Sequence, residues 1–433
     1  MSVPALVASP AGGRLLKQFS TTVVDQVCLS AANFIVGFLL IRRTTDGDYA
    51  MYVLVQSAIA LLISAQMAYL SSPLAVLAPG KSAAIKRLMI GAVELSQRRF
   101  LRRACFAALA APLVGYALHV WTGLQALAIV FGIFGCWAAL QREYLRSVLM
   151  IYARPHSMLR ADLWGVAVLL AGASIAAYGP QPAVLWAIAA VVASALVAAA
   201  VARGSLTADP GFERGDATPF WREMRPLATW ATIGATIYWI YNQSYNYVLA
   251  SRIDLTAVAD VNATRLLLMP TIVLAVGVKT LLVPTAVSWL AESTLGRLTR
   301  RLLLFASGIA MLDILYFSVV WIFRDWISHG VMHKTIANRD ALLLMWASLS
   351  LIAVYRDLLQ TALFALRQFK SLAGVTAVSA VISLTTMWLG IDTWGPAAAL
   401  IGQVAGESIN LLGVVVLLLA AHRCSLKAAA ADR

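Results

Sequence analysis

The stretch AVLWAIAAVVASALVAAAVA, residues 183–202, decides the fold class of this chain. It contains no charged side chain, and Ser194 carries its one hydroxyl group. About 20 consecutive apolar residues are what an α-helix needs to cross the hydrocarbon core of a bilayer, which is about 30 Å thick. The stretch therefore predicts a helix that spans a membrane.

The composition of the whole chain agrees with this prediction. Of the 433 residues, 61% are hydrophobic and 12% are charged, whereas soluble domains are about 45–50% apolar and about 25% charged. The apolar runs are long and continuous, and do not alternate with polar residues as the strands of an outer-membrane barrel do. These features exclude a large soluble domain, a disordered chain and an outer-membrane barrel.

Twelve apolar runs are bounded by charged residues or by Gly and Pro, and each predicts one transmembrane helix. The predicted spans are 19–41, 49–77, 104–122, 124–148, 160–178, 183–202, 228–251, 257–288, 302–322, 341–366, 372–390 and 395–421. We therefore expect an all-α polytopic membrane protein with about 12 transmembrane helices.

The twelve spans divide into two sets of six. We expect an N-terminal lobe over residues 1–202, a cytoplasmic amphipathic linker over 203–226 and a C-terminal lobe over 227–433. A weak likeness between FLLIRRTTDGDYAMYVL, from Phe38, and YVLASRIDLTAVADVNA, from Tyr247, suggests a duplication. Because two six-helix repeats around a central cavity are a common plan for transporters, we expect such a cavity here.

Basic residues are distributed unevenly between the two sides of the predicted membrane. The chain has 34 Lys and Arg against 20 Asp and Glu, and its formal net charge is +14. With the N-terminus in the cytoplasm, most basic residues fall on the cytoplasmic side, including Arg98, Arg99, Arg102 and Arg103 before the third span. The positive-inside rule then predicts cytoplasmic termini, and the excess charge predicts contact with anionic lipid rather than nucleic acid.

Three cations lie inside predicted spans, where a charge is costly unless it faces a cavity or a partner. Arg265 and Lys279 belong to the eighth span, and Arg356 lies near the centre of the tenth. One interpretation is a cationic cavity that binds an anionic, phosphate-bearing substrate. The alternative is a set of internal ion pairs, in which Arg356 contacts Asp25 or Asp313.

Polar groups in the same spans are candidates for ion coupling. Asp25, Gln26 and Asn33 follow one side of the first span, and Asp357 lies near the centre of the tenth. We interpret these four residues as polar groups of the cavity, and Asp25 as a candidate site of proton or cation coupling. For Asp25, an ion pair with Arg356 or Lys279 is an equally open interpretation.

An aromatic and amide face follows the seventh span. Tyr238, Tyr241, Asn242 and Tyr245 recur at helical spacing, which suits stacking on sugar rings and hydrogen bonding to hydroxyl groups. Packing between helices is the alternative interpretation of this face.

A dense group of charges marks the inner end of the fourth span. Arg142, Glu143 and Arg146 follow one another at helical spacing and are candidates for a cytoplasmic gate. The alternative is anchoring under the positive-inside rule.

Metal and nucleotide chemistry have no sequence signature here. The four cysteines lie far apart, without a paired CxxC or Cys/His spacing, and there is no GxxxxGK[ST] phosphate loop. We expect no metal site and no cofactor.

Four segments together resemble the polysaccharide and O-antigen flippases of the multidrug/oligosaccharidyl-lipid/polysaccharide exporter superfamily. They are DQVCLSAANFIVGFLLIRRTTDGDYAMYVL from Asp25, QREYLRSVLMIYARPHSMLRADL from Gln141, YNQSYNYVLASRIDLTAVADVNATRLLLMP from Tyr241 and VYRDLLQTALFALRQFK from Val354. The most specific part is the family's Arg-Glu-aromatic-Leu-Arg run, carried here by residues 142–146. The turn at residues 44–49 departs from the family pattern because it lacks a Gly-Pro pair.

This resemblance implies a multi-pass transporter of the bacterial inner membrane, not an enzyme. It implies that the substrate is an undecaprenyl-pyrophosphate-linked oligosaccharide repeat unit, which is moved to the outer leaflet for polysaccharide biosynthesis. Alternating access between the two lobes, coupled to H⁺ or Na⁺, and a polysaccharide polymerase as a partner belong to the same expectation.

Three other functions are alternatives to a flippase. A membrane-embedded polymerase or glycosyltransferase needs a large outer catalytic region, whereas the longest predicted outer loop, 324–340, has about 17 residues. A drug or small-cation exporter of the same superfamily is expected to have an acid-rich cavity. A peptidoglycan-precursor flippase would share the cationic cavity but usually has two further spans.

Overall fold

The structure is a computed structural model that describes residues 10–78, 81–207, 215–271, 293–366 and 368–431, and single positions between 275 and 290. Every regular element in these ranges is a helix. In chain order the α-helices are α1 (Pro10–Arg43), α2 (Asp46–Gln66), α3 (Ser72–Leu77), α4 (Ala83–Ala108), α5 (Ala110–Ala117), α6 (Gly123–Ile151), α7 (Pro155–Tyr178), α8 (Ala183–Thr207), α9 (Thr218–Arg252), α10 (Leu255–Leu267), α11 (Leu295–Ile322), α12 (Arg339–Ala365), α13 (Phe369–Trp394) and α14 (Ala397–Ala431).

Two π-helical segments accompany these helices. Met67–Ser71 joins α2 to α3 without a break in the helix, and Trp326–Met332 lies between α11 and α12. Segments with π-helical geometry are rare and occur where a helix accommodates an extra residue.

Among the described residues, ten helical stretches are long and apolar enough to cross a membrane. They are Ser20–Arg43, Asp46–Leu77, Ala83–Ala117, Gly123–Ile151, Pro155–Tyr178, Ala183–Thr207, Leu295–Ile322, Arg339–Ala365, Lys370–Trp394 and Ala397–Cys424. They match predicted spans one to six and nine to twelve. The seventh predicted span lies in α9, and the eighth begins with α10 and continues into positions that are mostly outside the described residues. The prediction of an all-α, multi-pass membrane protein is confirmed.

The third span differs from its predicted limits. The sequence predicts a helix over 104–122, with the arginines at 98–103 in a cytoplasmic loop. Instead α4 begins at Ala83, where the Ser82 hydroxyl accepts a hydrogen bond from the Ile85 amide, and it continues through those arginines. The helix begins earlier in the sequence than predicted because Met89, Ile90 and Val93 supply a buried apolar face to its first half.

Helix starts are set by local capping. Thr45 accepts a hydrogen bond from the Asp48 amide at the start of α2. Thr122 and Gln125 form a reciprocal capping box at the start of α6. Each cap satisfies a backbone N–H group that lacks a partner within the helix, and such caps contribute about 1 kcal/mol each.

The chain divides into two compact units, Met1–Thr236 and Ile237–Arg433, with the boundary inside α9. In the N-terminal unit, α8 packs against α6 and α7, α1 packs against α7, and α2 packs against α6. The main core of this unit contains buried side chains from six helices: Leu74, Met89, Tyr144, Val148, Met158, Leu206 and Met224.

In the C-terminal unit, α14 packs against α12 and α13, α11 packs against α12, and α10 also packs against α12. The core includes Leu298, Leu302, Val354, Leu358, Leu372 and Val414. Helices α13 and α14 approach closely because Gly406 has no side chain. A Cβ atom there would lie 2.9 Å from the Ser379 carbonyl oxygen and 2.7 Å from Tyr241 Cε2.

Candidate functional site

A buried cluster of charges lies in the N-terminal unit, and we call it the Arg146 cluster. Its members are Asp25 of α1, Arg142, Glu143 and Arg146 of α6, and Asp162 of α7. Arg146 Nη2 donates to Asp25 Oδ2 at 2.9 Å, its Nη1 donates to Glu143 Oε2 at 3.2 Å, and its Nε lies 2.7 Å from Asp162 Oδ2. Arg142 Nη2 donates to Asp162 Oδ1 at 2.5 Å. One guanidinium group therefore holds three helices together.

The Arg146 cluster has one negative charge in excess when all its groups are ionised, because three carboxylates face two guanidinium groups. Asp25 is 1% exposed and Asp162 is 2% exposed. Asp25 Oδ1 has no hydrogen-bond partner among the residues that the structure describes. Because buried charges are costly unless paired, this cluster can take up one proton without leaving a cation unpaired.

The sequence identified most of this cluster as two separate groups. Asp25 was a coupling candidate, and Arg142, Glu143 and Arg146 were gate candidates; the structure brings them together. The partner of Asp25 is Arg146, whereas the sequence-based alternatives were Arg356 and Lys279.

Asp162 was missed, although a carboxylate inside the fifth predicted span was itself a signal. Two other candidates on α1, Gln26 and Asn33, are exposed side chains that do not take part in the cluster.

A second buried cluster lies in the C-terminal unit, and we call it the Arg356 cluster. Arg356 of α12 is 6% exposed, and its Nε lies 2.9 Å from Glu407 Oε2 of α14. Its Nη2 donates to Glu407 Oε1 at 3.2 Å, and its Nη1 lies 3.3 Å from Asp357 Oδ1. The ion-pair interpretation named Asp25 or Asp313 as the partner, but the partner is Glu407. Arg356 is therefore a compensated cation, flanked by two carboxylates.

Glu407 was not selected from the sequence as a site residue. It follows the small residues Gly402 and Gly406, which indicated close helix packing. That packing is what brings α14 near enough to α12 for Glu407 to reach Arg356.

Asp313 of α11 is also buried, with 3% of its surface exposed. Neither carboxylate oxygen has a hydrogen-bond partner in the part of the chain that the structure describes. It is therefore a separate buried acid and not the partner of Arg356.

Arg265 of α10 differs from Arg356 because no carboxylate lies within ion-pair distance among the described residues. Its Nη1 donates to the Tyr245 hydroxyl at 3.3 Å, and its guanidinium group lies 5.6 Å from the centre of the Trp346 ring. A hydroxyl group and an aromatic face orient the cation, and neither carries a negative charge. Lys279, the other predicted cation of this span, lies outside the described residues.

A buried hydrogen-bond network supports Arg265. The Tyr245 hydroxyl donates to Asn262 Oδ1 at 3.3 Å, and Asn262 Nδ2 donates to Asn246 Oδ1 at 2.6 Å. Both asparagines were missed in the sequence. They could have been found because each places a polar amide side chain within a predicted span. Their contacts fix the Tyr245 ring and thereby the position of the guanidinium group.

The aromatic face of the seventh span separates into two pairs in the structure. Tyr241 and Tyr245 are 0% and 1% exposed, and Tyr241 packs against α14 at Gly406. Tyr238 is 49% exposed, and Asn242 is half-buried and donates to the Tyr238 carbonyl oxygen at 2.9 Å. Two members thus pack within the unit, and two retain accessible surface.

Comparison with known proteins identifies the fold. No family model matches the sequence, and no curated protein matches it. Among solved structures, an inward-facing multidrug resistance MATE family transporter of the MOP superfamily aligns with a TM-score of 0.73 and 12% identity, covering 94% of this chain and 98% of that chain. The lipid II flippase MurJ, in an inward closed conformation, aligns with a TM-score of 0.72 and 10% identity, covering 92% and 87% of the two chains.

A MATE transporter from Vibrio cholerae aligns with a TM-score of 0.67 and 13% identity, covering 95% of this chain and 97% of that chain. TM-scores of 0.67–0.73 over nearly complete chains demonstrate a shared architecture, and identities of 10–13% limit the similarity to the fold. The chain therefore has the fold of MATE family transporters of the MOP superfamily and of the lipid II flippase MurJ.

Proposed function

We propose that this chain is a transporter that flips an undecaprenyl-pyrophosphate-linked oligosaccharide repeat unit across the bacterial inner membrane for polysaccharide biosynthesis. The observation that carries the proposal is Arg265, a half-buried cation without a carboxylate partner among the described residues. The similarity in fold to a lipid II flippase supports the same class of substrate.

The chemistry of Arg265 suits a pyrophosphate. Guanidinium groups bind phosphate oxygens through charge-assisted, often bidentate hydrogen bonds. An intramembrane cation without a partner is costly, and an anionic ligand would offset that cost. Lys279 stays a sequence-based prediction for a second phosphate contact. Because Arg356 forms an ion pair with Glu407, we do not assign it a direct contact with the phosphate.

The accessible pair Tyr238 and Asn242 is our candidate for sugar contacts. The ring of Tyr238 can stack on a sugar face, and the Asn242 amide can hydrogen-bond to hydroxyl groups. A repeat unit delivered to the outer leaflet would be the substrate of a polysaccharide polymerase, which is the partner that this function requires.

The Arg146 cluster is our candidate for ion coupling in an alternating-access cycle. Its excess carboxylate can bind a proton or Na⁺ in one conformation and release it in the other. The reason is that the neutral and charged forms of the carboxylate favour different arrangements of the three helices that meet at the cluster. In this scheme Asp25 carries the exchangeable charge, and Arg142, Glu143 and Arg146 couple it to the inner ends of the helices.

A second candidate function is a multidrug or small-molecule exporter of the same superfamily. One observation favours it: carboxylates outnumber guanidinium groups in both the Arg146 and the Arg356 clusters. An excess of buried acid suits a cationic substrate, and several similar structures are MATE transporters.

The deciding experiment follows undecaprenyl-linked oligosaccharide in a strain that lacks this chain. We expect complete repeat units to accumulate on the cytoplasmic face, and Arg265→Ala to fail to restore export. Arg252→Ala is the matched control, because Arg252 is a partly exposed cation at the end of α9 that pairs with exposed Asp392.

Three other results would contradict the proposal. Unpolymerised units on the outer face would indicate a polymerase. Normal export together with increased sensitivity to cationic drugs would indicate an exporter. Full activity of Arg265→Ala would remove this cation from the phosphate site.

A further inference from the structure

We propose that the N-terminal unit carries a binding site for an anionic phospholipid, in a groove between α4 and α6. The groove has a volume of about 390 Å³, which is within the range of small-molecule sites. Its arginines are Arg98, Arg99 and Arg102, and they face Trp137 and Gln141 of α6. We call it the arginine groove.

One face of α4, continued by Leu109 directly after it, builds the basic wall of the arginine groove. Its lining residues recur three or four positions apart, as one face of a helix requires: Leu95, Arg98, Arg99, Arg102, Cys105, Phe106 and Leu109. The neighbouring Arg103 is also exposed but does not line the groove. The basic residues that line the groove therefore belong to one face of α4, and Arg103 lies outside that face.

The arginines of this groove are largely uncompensated. Arg99 and Arg102 form no ion pair or hydrogen bond with any residue in the described ranges. Arg98 Nη1 lies 3.9 Å from Glu94 Oε1, and Glu94 also pairs with Arg203. On the opposite wall, Gln141 is 7% exposed and its Nε2 has no hydrogen-bond partner among the described side chains and backbone. The groove therefore offers an anion several donors, one of them buried.

The position of the groove indicates a lipid rather than a soluble anion. Both walls belong to membrane-spanning stretches, where lipid rather than bulk water surrounds the protein. Apolar side chains flank the basic wall, with Phe106 70% exposed and Phe134 41% exposed. A phosphate group can contact the arginines while acyl chains lie along these aromatic rings.

Native mass spectrometry of the purified full-length chain in neutral detergent tests this site. Phosphatidylglycerol and phosphatidylcholine with identical acyl chains are added in equal amounts. We expect the wild type to retain phosphatidylglycerol about tenfold more strongly, which corresponds to about 1.4 kcal/mol of binding free energy. We expect R98Q/R99Q/R102Q to lose this preference and R103Q, the matched control, to keep it.

Each remaining outcome has a defined meaning. Equal retention of the two lipids by the wild type, or equal loss of preference in R103Q and the triple variant, would overturn the proposal. If millimolar inorganic phosphate displaces phosphatidylglycerol, the groove recognises the phosphate group without a contribution from the acyl chains, and this result would overturn the assignment to a lipid as well. If the triple variant fails to fold, single R102Q and Q141L variants measure the same preference. Binding is measured without transport, so this result is independent of the function proposed above.

Discussion

Replacement of Arg356 by Met is expected to be strongly destabilising. The Arg356 guanidinium contacts both Glu407 oxygens, at 2.9 and 3.2 Å, and one Asp357 oxygen at 3.3 Å, with Arg356 6% exposed and Glu407 3% exposed. Met replaces the aliphatic part of the Arg side chain but leaves two carboxylates without a cation. Removing one partner of a buried ion pair costs about 3–5 kcal/mol, and we expect the free energy of unfolding to fall by that amount.

Two further variants isolate the ion pair. Glu407→Gln is expected to cost less, about 1–3 kcal/mol, because Arg356 keeps Asp357 and loses one charged acceptor. The double variant R356M/E407M is expected to be more stable than R356M alone, since apolar side chains of similar volume often replace a buried ion pair without loss. A double-mutant cycle that adds the single variant E407M to R356M and R356M/E407M measures the coupling between the two residues.

Unfolding of the purified variants by sodium dodecyl sulfate in mixed micelles gives the required free energies. Arg252→Met is the control, because its partly exposed pair with Asp392 is worth less than about 1 kcal/mol. If R356M unfolds at the wild-type detergent fraction, or if the double variant is no more stable than R356M, the ion pair does not have the energetic role that its geometry indicates.

Three more results are expected. Asp25→Asn should abolish the dependence of transport on an imposed proton gradient while the protein stays folded. The reason is that the amide keeps the size of the carboxyl group but cannot be protonated. Unchanged dependence of transport on the gradient in proteoliposomes would contradict this. Gly406→Leu should lower the free energy of unfolding by about 1–3 kcal/mol, because even its Cβ would lie 2.7 Å from Tyr241 Cε2; a wild-type unfolding curve would contradict it. The hydrogen bond from Arg339 lowers the pKa of Asp325 below its ordinary value of 3.8. The stabilisation that the ionised Asp325 provides is therefore present above pH 3.8 and is lost as the pH falls through the lowered pKa. The difference in thermal midpoint between wild type and Asp325→Asn should shrink between pH 5 and pH 2.

The helical architecture was largely predictable from the sequence. The run at 183–202 became the stretch Ala183–Thr207, and nine other predicted spans likewise correspond to long apolar helices. The third span was misplaced because Arg98, Arg99 and Arg102 were interpreted as loop residues. Hydropathy alone does not show that the first half of α4 has its own buried face, which starts the helix at Ala83.

The candidate site was predictable only as a set of residue types. Ionisable groups within apolar spans identified Asp25, Arg265 and Arg356 because hydrocarbon does not accept isolated charges. The sequence did not distinguish Arg356, which two carboxylates flank, from Arg265, which has no carboxylate partner in the part of the chain that the structure describes. That distinction depends on whether a neighbouring helix carries a carboxylate at the same depth, as α14 does with Glu407.

Local sequence features are sufficient to identify this chain as a helical, multi-pass membrane protein. The reason is local: in hydrocarbon each segment must satisfy its own backbone hydrogen bonds, so length and composition are sufficient to identify a spanning helix. The contact between Arg146 and Asp25, 121 positions apart, and the position of Arg265 between Tyr245 and Trp346 depend on how the helices pack. Such contacts join helices that are distant in sequence, and small residues such as Gly406 control how closely those helices approach.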